Sequence, residues 1–175
     1  SILAERAQGT LPRLLVSPTS SAQILGGKVF GIYLTGVAQI SILILASAIF
    51  FQVKWGDPLG MVALILAAVF GATGWGMLIT AFARNPNQVA SIGSAIMLIF
   101  GILGGSFIDL GMMPPAIQFV SKITPNAWAL DGFTTLALGG GLAQLTEPII
   151  ALLVMGVVLF VVSVIIFGKK NLAQK

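Results

Sequence analysis

The sequence predicts an all-α integral membrane protein with four transmembrane helices. Hydrophobic residues make up 57% of the 175 residues and charged residues only 8%, whereas an ordinary globular domain has about 25% charged residues. The mean hydropathy is +1.05. Four long stretches carry no Asp, Glu, Lys or Arg, and a helix of about 20 such residues crosses a hydrocarbon core about 30 Å thick.

The missing residue types exclude several kinds of chemistry. The chain has no Cys and no His. Disulfides, cysteine or histidine metal sites, and catalysis by a thiolate or an imidazole are therefore excluded. We expect the chain to hold no cofactor and no metal. Because it starts at Ser1 without a signal-peptide pattern, we also expect it to be the C-terminal part of a longer protein.

A polar segment precedes the first apolar stretch. It contains the charged run from Glu5 to Pro18 and closes at Gly26-Gly27-Lys28, so residues 1–28 are predicted to form a domain outside the membrane. Residues 29–168 are predicted to form the transmembrane domain, and residues 169–175 a basic tail. The predicted spans are about Val29 to Val53, Leu59 to Ala83, Gln88 to Phe107, and Pro148 to Gly168.

The distribution of basic residues predicts the orientation. One side would hold the N-terminal segment, the loop at Arg84 and the C-terminal tail, and the other side would hold only Lys54 and Lys122. By the positive-inside rule the first side is cytoplasmic, so both ends of the chain are predicted to be cytoplasmic. The basic residues on that side are Arg6, Arg13, Lys28, Arg84, Lys169, Lys170 and Lys175.

The long connection from Gly104 to Glu147 is too apolar for an ordinary exposed loop. Two short helices are predicted within it, at Pro114 to Ile123 and at Ala127 to Leu138. Their predicted breaks are Thr124-Pro125-Asn126 and Gly139-Gly140-Gly141. Helices this short cannot span the bilayer, but they can dip into its outer leaflet or lie on it. We therefore expect an external re-entrant or interfacial helical hairpin at residues 104–147.

The spans hold no charged residue that would couple an ion gradient to transport. Proton- and ion-driven transporters usually carry carboxylates or histidines within the membrane. The chain also lacks a complete phosphate loop, because Ala22 stands where the first glycine would be and Val29 follows Lys28 in place of Ser or Thr. Any energy for transport must therefore enter from another chain or from another part of this protein.

Several motifs, in their order along the chain, resemble the type-2 ATP-binding cassette (ABC) export permeases. The first motif is Glu5-Arg6-x-x-Gly9-Thr10, then Leu14-Leu15-x-Ser17-Pro18, then Gly27-Lys28 leading into a span. The likeness continues through the Gly-rich end of the third span and the basic tail. It also includes Met112-Met113-Pro114 and Pro125-Asn126-Ala127-Trp128.

This resemblance implies a six-helix permease half, of which the chain holds helices three to six. Such a half, in a bacterial-type inner membrane, pairs with a second half and with two cytosolic ATPase subunits that bind ATP and Mg²⁺. The resemblance also implies that the hairpin closes the outer end of the pathway, with external gate residues Met113, Pro114, Pro125 and Trp128. It implies ATPase coupling by Glu5, Arg6, Gly9, Thr10, Leu14, Leu15, Ser17, Pro18 and Lys28.

The residues themselves leave alternatives open. The N-terminal polar segment can dock in a groove of the ATPase through Leu11, Leu14 and Leu15. Alternatively, it can lie on the lipid surface with its arginines on anionic headgroups. Thr35 and Gln39 can line a pathway or bond to a neighbouring helix. The alternative to an exporter permease is a membrane scaffold or channel-like protein without an ATPase. Four charged residues of the connection can form an outer gate or be solvated: Asp109, Lys122, Asp131 and Glu147.

Overall fold

The computed structural model describes the backbone of residues 21–172 and the side chains of residues 26–168. This part of the chain is helical, with no β-strand. The α-helices are α1 (Ser21–Phe50), α2 (Pro58–Phe82), α3 (Pro86–Leu103), α4 (Pro115–Ser121), α5 (Pro125–Ala137) and α6 (Thr146–Leu172). Short 3-10 helices form at Leu110–Met112 and Leu142–Leu145.

Four helical stretches are long and apolar enough to cross a membrane. They are Gly26–Phe50, Pro58–Phe82, Pro86–Leu103 and Leu142–Gly168. These stretches correspond to the four predicted spans, and the predicted all-α membrane fold is confirmed. The predicted short helices of the connection are present as α4 and α5. Thr124-Pro125-Asn126 is a break only at its first residue, because Pro125 and Asn126 already belong to α5.

Three helices begin with a polar cap followed by a proline. Asp57 caps α2, Asn85 caps α3 and Thr124 caps α5. Each side chain accepts a hydrogen bond from a backbone N–H of the first turn, which has no partner within the helix. Proline suits the next position because its fixed φ is helical and it has no N–H to satisfy. The local sequence therefore determines where these helices begin.

Several helix ends differ by a few residues from the sequence prediction; α1 ends at Phe50 and α6 continues to Leu172. The described part of α1 begins at Ser21, so Gly26 and Gly27 lie inside the helix instead of preceding it. α3 ends at Leu103, earlier than the predicted Phe107, because Gly104 and Gly105 form a C-terminal cap. The N–H of Ser106 donates to the carbonyl of Gly101 (3.0 Å), and Gly105 has φ +84°. This left-handed conformation is readily adopted only by glycine.

The core is built around α2, which packs most extensively against α6 and also contacts α1 and α5. Four leucines are fully buried: Leu64 of α2, Leu136 of α5, Leu145 of the second 3-10 helix and Leu152 of α6. By contrast, α3 buries only Phe100 and Gly101. Large apolar side chains of α1, such as Ile42 and Ile49, are exposed on the surface of the described chain.

Candidate outer gate

The loop between α1 and α2 packs against the hairpin, and together these segments form what we call the hairpin face (residues 51–57 and 104–146). Trp55 links the loop to both neighbours. Its indole N–H donates to the hydroxyl of Ser47 in α1 (3.0 Å). Its ring meets Phe133 of α5 edge to face, with centroids 6.2 Å apart. Trp55 therefore packs between α1 and α5, and it is also a candidate anchor at the membrane–water interface.

Asp57 joins the start of α2 to the second 3-10 helix. One oxygen of its half-buried carboxylate accepts from the N–H of Leu59 in α2 (3.0 Å). The other accepts from the N–H of Leu142, at the start of the second 3-10 helix (3.2 Å). The preceding N–H, of Gly56, donates to the carbonyl of Leu136 in α5 (2.9 Å). One aspartate therefore caps α2 and also binds the segment that leads into α6.

Gly56 is a close-approach position. A Cβ atom at Gly56 would lie 2.5 Å from the carbonyl oxygen of Gly140 and 3.1 Å from that of Leu136. Both neighbours are backbone atoms, which cannot move aside as a flexible side chain can. By composition, Gly56-Asp57-Pro58 is typical of a turn. The Asp-Pro pair did signal the cap on α2, but nothing local signals the bonds to residues 136–142.

The predicted gate residues Pro125 and Trp128 lie together at the start of α5. Pro125 is buried. The indole N–H of Trp128 donates to the carbonyl of Lys122 (2.7 Å). The ammonium of Lys122 lies 5.2 Å from the centroid of the same ring, within cation–π range. Trp128 therefore contacts the three-residue link between α4 and α5 through both its ring and its N–H.

Met113 and Pro114 lie at the start of α4, in a separate group. Pro114 occupies the cap position of that helix. The side-chain amide of Gln118 donates to the carbonyl of Met113 (2.8 Å), which ties the first 3-10 helix to α4. The four predicted gate residues therefore lie at the starts of two successive short helices, two residues at each.

A cleft of about 410 Å³ opens between α5 and the segment that follows α3. Two carboxylates line it, those of Asp109 and Asp131, together with the apolar Phe107, Leu110 and Leu130. Asp109 also accepts from the N–H of Gly111 (2.8 Å) and so caps the first 3-10 helix. All four charged residues considered for an outer gate are exposed, as expected for solvated charges: Asp109, Lys122, Asp131 and Glu147.

Thr35 and Gln39 of α1 do not bond to a neighbouring helix of the described chain. The hydroxyl of Thr35 donates to the carbonyl of Gly31, one turn earlier in its own helix (2.9 Å). The side chain of Gln39 is exposed. Tyr33 does reach a neighbour, because its hydroxyl donates to the carbonyl of Leu66 in α2 (3.2 Å).

A family model described as "ABC-2 family transporter protein" matches residues 1–165. The chain belongs to this family. The match includes the N-terminal polar segment, the hairpin face and almost all of the last span. The resemblance inferred from the sequence motifs is therefore confirmed for nearly the whole chain.

Curated relatives of this ABC-2 protein are named as permeases. The linearmycin resistance permease protein LnrN of Bacillus subtilis is 28% identical over 84% of the chain and 38% of the relative. The inner membrane transport permease YadH of Escherichia coli is 28% identical over 79% of the chain and 54% of the relative. The probable multidrug ABC transporter permease YbhR of Escherichia coli is 28% identical over 71% of the chain and 34% of the relative. The chain thus spans between about a third and about half of these relatives. No solved structure gives a significant match.

Most predicted coupling residues of the ABC-2 protein lie outside the described residues. They are Glu5, Arg6, Gly9, Thr10, Leu14, Leu15, Ser17 and Pro18. Lys28 is described and is a half-buried residue of α1. It lies inside a helix that runs without a break from residue 21 into the membrane span. The role of these nine residues remains a prediction.

The turn between α2 and α3 lies on the side predicted to be cytoplasmic. The N–H of Arg84 donates to the side-chain carbonyl of Gln88 (2.8 Å), and the N–H of Gln88 donates to the side chain of Asn85 (2.8 Å). These reciprocal bonds resemble a capping box and fix the turn. The side chain of Arg84 is exposed there.

Proposed function

We propose that this chain forms helices three to six of a permease half in an ATP-driven ABC exporter. The observation that carries the proposal is the family match over residues 1–165, which joins the N-terminal polar segment to all four spans. The names of LnrN, YadH and YbhR as permeases support it. In this proposal the chain forms part of the translocation pathway and performs no covalent chemistry itself.

The energy for transport enters from a separate ATPase subunit. The membrane spans hold no acidic or basic residue over their central parts, which disfavours a proton or ion relay. The incomplete phosphate-loop pattern at Ala22 to Val29 disfavours ATP binding by this chain. The partner therefore binds ATP and Mg²⁺, and its closure moves the coupling segment from Glu5 to Lys28.

Movement then passes through α1 to the core. α1 packs against α2, and the hydroxyl of Tyr33 bonds to Leu66 across that contact. The loop that leads into α2 is in turn bonded to residues 136–142 through Gly56 and Asp57. In an alternating-access cycle this route connects the ATPase side with the gate residues Met113, Pro114, Pro125 and Trp128.

The proposed assembly contains a second permease half, identical or different, in a bacterial-type inner membrane. Both ends of the chain are on the cytoplasmic side. Exposed apolar side chains along α1 and α3 leave ample surface for lipid, for the rest of the protein and for the second half. Close helix contact in a membrane is driven by packing and not by the hydrophobic effect, so small residues are favoured at such contacts.

The test is copurification of the full-length protein with an ATPase encoded beside it, followed by measurement of vanadate-sensitive ATP hydrolysis in lipid. A stable complex that hydrolyses ATP is the expected result. A folded, inserted protein that binds no ATPase would contradict the exporter and favour the scaffold or channel-like alternative. In that case the segment from Glu5 to Lys28 would be assigned to the lipid surface.

A further inference from the structure

The second helix of the hairpin, α5, is fixed to the core of the protein. Leu136 of α5 is fully buried, and Gly132 lies so close to Leu64 that an added Cβ would be 2.7 Å from it. The Leu136 carbonyl also accepts from the N–H of Gly56. α5 contacts α2, α3 and α6. Movement of α5 alone would therefore break several contacts at once.

The segment before α5 is attached much less firmly. We call residues 106–123 the flap; it contains the first 3-10 helix and α4. Among its residues only Ser121 is buried. Phe107, Met112 and Phe119 are 71%, 83% and 76% exposed. The side-chain hydrogen bonds from Gln118 to Met113 and from Ser121 to Gln118 stay within the flap. In the described chain, the side-chain bonds between the flap and α5 lie only at the two ends of the flap, at Ser106 and Lys122.

Gly105 and the turn at residues 122–124 mark the two ends of the flap. At one end Gly105 has φ +84° directly after α3, a conformation that glycine adopts without strain. At the other end Lys122, Ile123 and Thr124 form a short turn held by bonds to residues 119–121. Thr124 is buried and caps α5, so the fixed part begins there.

The cleft of about 410 Å³ lies along the boundary between the two parts. Ser106, Phe107 and Leu110 line it from the flap, and Leu130 and Asp131 line it from α5. The side-chain amide of Asn126 in α5 lies 3.5 Å from the hydroxyl of Ser106, at the limit of a hydrogen bond. A shift of the flap relative to α5 therefore changes the size of the cleft.

We propose that only the flap moves during the transport cycle, and that α5 remains part of the core together with α2 and α6. The external hairpin is thus not a single gate. Met113 and Pro114 belong to the moving part, whereas Pro125 and Trp128 form the fixed side against which it closes. This inference rests on the proposed function, because that function supplies the reason for the flap to open and close.

The first test is amide hydrogen exchange of the full-length protein in lipid nanodiscs, without nucleotide. Backbone amides exchange with solvent faster in segments that open locally more often. We therefore expect the exchange rates of peptides within residues 106–123 to be at least about tenfold higher than those of peptides within residues 127–138. Equal protection of the two regions, or slower exchange in the flap, would overturn the proposal.

The second test locks the flap with a reversible disulfide. The double variant Ser106→Cys and Asn126→Cys places two thiols where the native side chains already meet. The 175 residues contain no native cysteine, and any cysteine elsewhere in the full-length protein is replaced first. We expect oxidation to abolish vanadate-sensitive ATP turnover by the transporter complex, and reduction of the same sample to restore it.

The outcomes of the two tests separate this inference from the proposed function. Unchanged ATP turnover after complete oxidation, or no disulfide formation, would contradict a flap that closes on α5. Failure to bind any ATPase would contradict the proposed exporter function. The exchange experiment on the protein alone would still show whether residues 106–123 open more readily than α5. Faster exchange there without an ATPase would support a flap in a channel-like protein instead.

Discussion

The carboxylate of Asp57 accepts a hydrogen bond from the backbone N–H of Leu142, although 85 residues separate the two in the chain. Its second oxygen caps α2 through the N–H of Leu59. The same side chain thus stabilises the start of one membrane helix and the approach to another. The bond to Leu142 fixes the loop between α1 and α2 to the segment that leads into α6.

Replacing Asp57 should destabilise the protein. We expect Asp57→Ala to lower the free energy of unfolding by about 1–3 kcal/mol, because α2 loses its cap and the N–H of Leu142 loses its partner. Asp57→Asn keeps one acceptor oxygen and should cost less. Thermal unfolding in mild detergent provides the measurement.

Asp109→Ala is the matched control for Asp57→Ala. Asp109 also caps a helix, but its bond to Gly111 reaches only two residues along the chain, within a segment that buries little surface. Its loss should lower the unfolding temperature less than Asp57→Ala does. Equal losses in the two variants would mean that the contact with Leu142 contributes nothing measurable.

Adding a single methyl group at Gly56 should also destabilise the hairpin face. The new Cβ of Gly56→Ala would meet the carbonyl oxygen of Gly140 at 2.5 Å, and such overpacking typically costs about 1–3 kcal/mol. Gly141→Ala provides the control, since no atom lies within 4 Å of a Cβ there. Equal unfolding temperatures for Gly56→Ala and Gly141→Ala would contradict the close approach of the Gly56 and Gly140 backbones.

The sequence was sufficient to predict the helices but not the pairing of their faces. The four spans could be predicted because each is apolar throughout, and Asp57-Pro58 and Asn85-Pro86 mark two helix starts. An apolar helix has no polar face to indicate which side is buried. Leu64 is fully buried and Leu66 is 41% exposed, yet nothing in the sequence distinguishes these two leucines.

The site was predicted only in its local parts. The sequence predicts Pro125 in a break before the second short helix, whereas Pro125 is the first residue of α5. Met113-Pro114 precedes α4, close to the predicted helix start at Pro114. The contacts of Gly56 and Asp57 with residues 136–142 depend on how distant segments pack. A single sequence carries no direct signal for such contacts, since the pairing partners are far apart in the chain.

The crossing of α2 and α6 depends on small residues. At Gly74 a Cβ would lie 3.2 Å from the Cα and carbonyl oxygen of Gly156, whereas at Gly76 it would meet nothing within 4 Å. We expect Gly74→Leu to push α6 away and lower the free energy of unfolding by about 1–3 kcal/mol. Gly76→Leu, on the same helix, should be nearly neutral. Similar unfolding temperatures for both variants would contradict the close crossing.

Cysteine labelling tests both burial and the predicted orientation. Thr124 is only 1% exposed, whereas Leu138, at the end of α5, is 84% exposed. In intact cells an impermeant maleimide should label Leu138→Cys quickly and Thr124→Cys only after denaturation. Asn87→Cys, in the turn between α2 and α3, should react only after the membrane is permeabilised. Labelling of Asn87→Cys but not Leu138→Cys in intact cells would reverse the orientation.

The predicted coupling segment can be tested by charge placed on its apolar residues. If Leu14 and Leu15 dock in a groove of the ATPase, Leu14→Asp with Leu15→Asp puts two carboxylates in that groove. Burying unpaired charge is costly, so we expect at least about a tenfold loss of copurified ATPase, a change of about 1.4 kcal/mol in binding free energy. Membrane insertion should be unchanged, because these residues precede the first span.

The control adds the same charge on the same predicted side of the membrane. Ala173→Asp with Gln174→Asp introduces two carboxylates in the basic tail, which is far from the coupling segment in the sequence. If both double variants lose the ATPase equally, net charge at the membrane surface is responsible and the groove is not. If neither loses it, Leu14 and Leu15 do not contact the ATPase. Both double variants reduce the attraction of the cytoplasmic side to anionic lipid to the same extent. Loss of the ATPase only in the Leu14/Leu15 variant would therefore support docking in a groove and not binding to lipid headgroups.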